Sequence, residues 1–146
     1  MLLRAWAPPV VFMCLIFTAS TDLGSPARSS RIIGPLLRWF KPDVTPETID
    51  VVQTIVRKGG HAAGYAMLAL LLWRALRLIN PPSTAWSPKT AKLAVLIAFI
   101  YASSDEFHQI FVPSRGASIW DVLLDTTGAA LGIWALWLIG RVRRKW

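Results

Sequence analysis

The chain holds one cysteine, two histidines and two tyrosines, and its 8 acidic residues face 16 Lys and Arg. A lone Cys14 excludes an internal disulfide and any cysteine-based metal cluster. Because acids are scarce, each one set inside an apolar run is informative, since a carboxylate in hydrocarbon is costly unless partnered. There is no internal repeat and no low-complexity tract, and 146 residues require no more than one domain. What is abundant is apolar: 54% of residues are hydrophobic, Trp occurs 8 times, and mean hydropathy is +0.47 beside a net charge of +8. A basic protein that tracks phosphates spreads its Lys and Arg over a face or a tail. Here they sit mainly between apolar runs, so nucleic acid is excluded as the expected partner. The composition reads as an all-α integral membrane protein.

A helix needs about 20 mostly apolar residues to cross the hydrocarbon. Four windows, at about 5–21, 59–78, 93–112 and 119–139, come close to that length and predict a bundle of four transmembrane helices. The first, "AWAPPVVFMCLIFTA", is short and carries Pro8 and Pro9 in its first turns, where a missing N–H costs little. Its positive start "MLLR" and small-residue ending also fit a cleaved signal peptide, the competing reading of this segment. A long extracytoplasmic segment, studded with Pro and Gly, separates spans one and two. Within it "IIGPLLRWF" and "TPETIDVVQTIV" predict interfacial pieces, the second opening with Thr45 as cap, Pro46 at the first helical position and Glu47 in the first turn. The last two spans are joined only by "PSRGAS" and are therefore antiparallel neighbours. Arg74, Arg77, Lys89, Lys92 and the C-terminal "RVRRK" hug the ends of spans two, three and four, which by the positive-inside bias predicts N-in and C-in.

On that topology the unusual polar residues all fall at the outer face. Lys58 and His61 open span two; Asp105, Glu106, His108 and Gln109 close span three; Arg115 sits in the turn; Asp121 and Asp125 open span four. Helical spacing puts Asp105, His108 and Gln109 on one face, with Glu106 about 100° round. Asp121, Asp125, Gly128 and Gly132 form one stripe, acidic near the outside and glycine deeper down. Gly60 and Gly64 repeat the small-xxx-small pattern in span two, and the two glycine pairs predict that spans two and four pack closely. Acids at such depth must face one another, the nearby bases, or a wet pocket. The expectation is a polar pocket let into the outer leaflet. The architectural alternative is a buried network that fixes helix register, strongest for Asp121 with Arg115, since an Asp that opens a helix is also favoured by the helix dipole.

Two stretches, "RKGGHAAGYAMLA" and "SDEFHQIFVPSRGASIWDVLLDTTGAALG", resemble the VanZ family of small bacterial membrane proteins over about residues 55–133. The second is the more specific: an acid pair, then His-Gln, a Pro-x-Arg turn, and an Asp opening the last helix ahead of a late Gly-xxx-Gly. The family's motif positions fall on Lys58, His61, Asp105, Glu106, His108, Gln109, Arg115, Asp121, Gly128 and Gly132. The turn departs from the family in reading "PSR" rather than "PGR", and Asp125 stands where Asn is more usual. The resemblance implies a multi-pass protein of the bacterial cytoplasmic membrane and a phenotype class, since the founding member is associated with low-level teicoplanin resistance.

The expected function is therefore binding of a cell-envelope or glycopeptide-related ligand, such as a lipid-linked cell-wall precursor, in the polar pocket. Arg115 and Lys58 would take an anionic group, Arg bidentately, while Asp105, Glu106 and His108 would take amide or amine donors. The rival is an intramembrane enzyme acting on a lipid-linked substrate, with Asp105 or Glu106 and His108 as acid and base. His61, His108, Asp105 and Glu106 include metal-ligating types, but an i, i+3 Asp/His pair is not a specific metal signature, and no metal or cofactor is expected. Polarity confined to one end leaves no through-path for a channel. Membrane lipids are the remaining expected partners, and either glycine pair leaves homo-oligomers open.

Overall fold

The computed structural model describes residues 2–21, 26–79, 86–112 and 116–145, and among these all regular structure is helical. Five helices follow in order: α1 (Leu2–Ser20), α2 (Pro26–Phe40), α3 (Pro46–Ile79), α4 (Pro88–Gln109) and α5 (Ile119–Val142). The starts of α3, α4 and α5 are each marked by a hydroxyl cap. Thr45 accepts from the Thr48 N–H at 3.3 Å, Ser87 from that of Thr90 at 3.3 Å, and Ser118 from that of Trp120 at 3.2 Å. Pro46 and Pro88 follow their caps directly, where a missing N–H is harmless.

The largest departure from the sequence reading is α3. "TPETIDVVQTIV" is not a separate interfacial piece but the first turns of one continuous helix of 34 residues, about 51 Å long at about 1.5 Å per residue. Gly59 and Gly60 fall inside it without breaking it. α3 is the axis of the fold, in contact with all four other helices and most extensively with α5, while α4 packs on both α3 and α5. Among the described residues α1 runs from Leu2, so Pro8 and Pro9 are its seventh and eighth residues, about two turns in rather than at its start.

Burial along α4 is inverted relative to a water-soluble helix. Ala91, Ala94, Ala98 and Ala102 are buried, followed on the same stripe by Asp105 and Gln109, whereas Leu93, Leu96, Phe99 and Ile100 are exposed. α5 repeats the pattern, burying Gly128 and Ala129 while exposing Leu131, Trp134 and Leu138. Small and polar residues inside with large apolar ones outside is the arrangement expected where lipid, not water, surrounds the bundle. α1, α3 and α5 are long and apolar enough to cross a membrane. α4, with 22 residues, falls short of that hydropathy because Lys89 and Lys92 at one end, and Asp105, Glu106 and His108 at the other, dilute its apolar middle. The structure thus shows three candidate spans where the sequence reading expects four.

Cross-helix contacts fix the relative directions. The Tyr101 hydroxyl donates to the Met13 carbonyl at 2.6 Å, and the rings of Phe17 and His108 lie 4.5 Å apart, so α1 and α4 end together. At the opposite end Trp73 of α3 stacks on Trp86, just ahead of α4, at 5.9 Å. α5 starts where α4 ends. The ends of α1 and α4, the start of α5 and the second quarter of α3 therefore meet at one end of the bundle.

Candidate functional site

That meeting point gathers most of the polar residues the sequence singles out. Lys58 of α3 donates to Asp121, in the first turn of α5, at 2.5 Å, with the lysine about half-buried. One turn deeper on both helices, His61 Nδ1 lies 3.6 Å from Asp125 Oδ2, and the Asp125 side chain is only 1% exposed. Glu106 of α4 closes the third side. Its Oε2 accepts the backbone N–H of Ser118 at 2.9 Å, tying the end of α4 to the start of α5, and its Oε1 accepts from Gln109 Nε2 at 3.2 Å.

The close approach that makes these pairs possible comes from glycine on one helix and alanine on the other. A Cβ added to Gly128 would lie 2.3 Å from the Ala62 carbonyl oxygen, and one added to Gly132 would lie 3.0 Å from the Ala66 Cβ. The glycine pair of α5 is thus used within the chain, against α3. Gly60 and Gly64 take no part in this contact: a Cβ at either meets nothing within 4 Å. Ala62 and Ala66, from the same "GHAAGYA" stretch, receive α5 instead.

The acid pair of α4 divides between two neighbourhoods rather than forming one wall. Glu106 faces α3 and α5. Asp105 turns to α1, where its Oδ2 accepts from the Ser20 hydroxyl at 2.6 Å and from Gln109 Nε2 at 3.2 Å. Gln109 therefore bridges the two acids. His108 also turns to α1, against the ring of Phe17, and among the described residues no hydrogen bond or ion pair links it to Asp105 or Glu106. An acid–base couple built from those residues is not favoured by this geometry. Arg115 lies outside the described residues.

The side chains of Lys58, His61, Glu106, Gln109, Asp121 and Asp125 line a cavity of about 20 Å³, enough for a water-sized group. Among the described residues two carboxylate oxygens remain buried without a hydrogen-bond partner, Asp105 Oδ1 and Asp125 Oδ1. An unpaired buried acceptor is costly, so both mark places where a donor is wanted. Among the described residues no group of three His, Cys, Asp or Glu side chains is arranged to hold a metal ion.

Two participants escaped the sequence reading. Arg57 lines the polar cavity and makes no ion pair among the described residues. The signal is present in "RKGGH", where Arg57 stands next to Lys58. Ser20 closes α1 onto Asp105, and nothing short of the packing of α1 reveals that a serine at a span end serves an acid 85 residues away.

A family model described as VanZ/LLP1 matches residues 6–140, nearly the whole chain. No match was found among curated proteins or among solved structures.

Proposed function

The chain belongs to the VanZ family, and from that membership and the polar site at one end of its bundle we propose that it is a four-pass protein of the bacterial cytoplasmic membrane that binds a cell-envelope or glycopeptide-related ligand. α4 supplies the fourth crossing, flanked by α3 and α5. Both termini lie in the cytoplasm and the polar end faces outward, as the basic residues at the opposite helix ends require. The observation that carries the binding reading is the pair of cations Arg57 and Lys58 beside a cavity that admits one small polar group. Among the described residues Arg57 has no ion-pair partner, and a guanidinium takes an anionic oxygen pair with good geometry. The bulk of a drug or a lipid-linked precursor stays in the headgroup region, and the site engages one terminus of it. Contribution to teicoplanin resistance follows if that ligand is the drug or the precursor it recognises.

The test is teicoplanin susceptibility of a sensitive Gram-positive host expressing wild type, Lys58→Ala, Asp105→Asn or Arg115→Ala, with the amount of each protein in the membrane measured alongside. Protection by wild type, lost in the Lys58 variant at equal abundance, is the expected result. No protection by well-expressed wild type would remove the resistance reading and leave a fold without this ligand.

A further inference from the structure

A second cavity, of about 290 Å³, lies on the other side of α3, between it, α1 and α2. It is mostly apolar, lined by Ile16 and Ala19 of α1 and Ile33 of α2, and its floor is the stripe Gln53, Arg57, Gly60 and Gly64, spaced four, three and four along α3. The two glycines that α5 does not use make this groove, since a side chain at either would project into open space.

Two buried polar atoms of the lining lack a partner among the described residues, and both can donate. Gln53 Nε2 and the Tyr65 hydroxyl are buried without a hydrogen-bond partner, on residues 8% and 0% exposed, and Arg57 has no ion pair among the described residues. Orphaned donors in an apolar groove want an acceptor-rich group attached to an apolar one. The volume sits at the lower end of the range for small-molecule pockets, which suits part of a hydrocarbon chain with its polar end on Gln53 and Arg57. The walls are helices that can cross a membrane, and Val56 and Ile55 beside the stripe are exposed, so the groove opens toward bilayer lipid rather than toward water. α2, which roofs it, exposes Ile32, Leu36, Trp39 and Phe40 at helical spacing, with Arg31 and Arg38 also on it, the composition of a helix lying in the membrane interface.

We propose that this groove holds one anionic phospholipid, its phosphate on Arg57 and Gln53 and an acyl chain over Gly60 and Gly64. The groove lies on the α1 and α2 side of α3 and shares Arg57 and His61 with the polar cavity, so the guanidinium serves either the phospholipid or the ligand of that cavity, and the lipid assignment does not depend on any glycopeptide ligand.

Native mass spectrometry of the full chain, released from detergent micelles containing equal dioleoyl phosphatidylglycerol and dioleoyl phosphatidylcholine, tests it. Wild type is expected to retain one phosphatidylglycerol, in about tenfold preference over phosphatidylcholine. Gly60→Leu, which fills the floor, should lose it. Arg57→Gln should keep a lipid but no headgroup preference. Ala130→Leu fills a different apolar groove, between α4 and α5, and should retain phosphatidylglycerol as wild type does. Each variant must match wild type in helical circular dichroism and in elution as a single species; if Gly60→Leu does not, Ile33→Trp fills the groove from α2 instead. Three results each overturn the assignment: equal retention of the two lipids by wild type, unchanged lipid in the filled variants, or equal loss in Ala130→Leu. A dimer that Gly60→Leu dissolves would likewise overturn it, by giving the groove to a second copy of the chain.

Discussion

Ser20, the last residue of α1, donates its hydroxyl to Asp105 in the last turn of α4 at 2.6 Å, and both residues are buried. The bond joins the N-terminal helix to the acid pair, and with the Tyr101–Met13 bond it orients α1 along α4. Among the described residues Asp105 Oδ1 already lacks a partner, so removing Ser20 leaves the carboxylate there with Gln109 alone. Ser20→Ala is expected to destabilise by about 1 kcal/mol, the size measured for buried hydrogen bonds in membrane bundles and in water. A thermal melt in detergent reads this, and a combined Ser20→Ala, Asp105→Asn variant should lose less than the sum of the two single changes because the partners are shared. Strict additivity would mean that the two side chains do not act together.

Gly128 sets the distance between α3 and α5. A methyl at this position would fall 2.3 Å from the Ala62 carbonyl oxygen, a backbone atom that cannot swing aside. Gly128→Ala is therefore expected to separate the two helices at the level of His61 and Asp125 and to cost about 1 to 3 kcal/mol, as overpacking of a filled core does. Gly64→Ala, with nothing within 4 Å, is expected to be neutral or slightly stabilising through lower backbone entropy in the unfolded chain. The comparison is made on protein abundance in the membrane and on melting temperature. Equal effects of the two substitutions would contradict the assignment of the α3–α5 contact to the α5 glycines alone.

Glu106 is the clasp between the end of α4 and the start of α5, through the Ser118 N–H. The amide oxygen of Gln can still accept that N–H, whereas Ala cannot. Glu106→Gln is expected to keep protection of the Ser118 amide from hydrogen exchange, and Glu106→Ala to reduce it by about tenfold, the effect of one lost bond to a charged acceptor. Exchange at Ser118 that ignores both variants would place the clasp elsewhere.

Which faces of each helix carry the polar residues was legible in the sequence, because residues three and four apart share a face whatever lies opposite. The Asp121–Asp125–Gly128–Gly132 stripe and the grouping of Lys58 with His61 appear in the structure on that basis. Periodicity does not say which helix lies opposite a face. It was silent on Ser20, which meets Asp105 only because α1 packs against α4, and on His108, which turns to Phe17. The small-xxx-small pattern points to Gly60 and Gly64 as the α3 side of the contact with α5, where the structure uses Ala62 and Ala66 instead, since all four are small enough to admit a neighbouring backbone. The fusion of "TPETIDVVQTIV" to the following span was hidden by Gly59 and Gly60, which weaken an isolated helix but are tolerated inside one that packs on four neighbours. Arg57 was visible as a charge but not as a lining residue, because a basic residue at a span end is first of all a topology signal.

Asp125 offers the sharpest separation of charge from shape. Its side chain is 1% exposed, Oδ2 faces His61 Nδ1 at 3.6 Å, and Oδ1 is buried without a partner. Asn has nearly the same outline and can keep an oxygen toward His61 while placing its NH₂ where Oδ1 now sits. What it removes is a carboxylate from a place where charge is costly, by about 2.5 to 3.5 kcal/mol on insertion scales, against an ion pair that exists only when His61 is protonated. Asp125→Asn is expected to leave the melting temperature unchanged or to raise it. Asp125→Ala removes the shape as well, opens a cavity under His61 and is expected to lower it. Melting of both variants in the same detergent settles the sign: if Asn proves as damaging as Ala, the charge on Asp125 contributes to holding α3 and α5 together, and the pair with His61 is worth more than its burial costs.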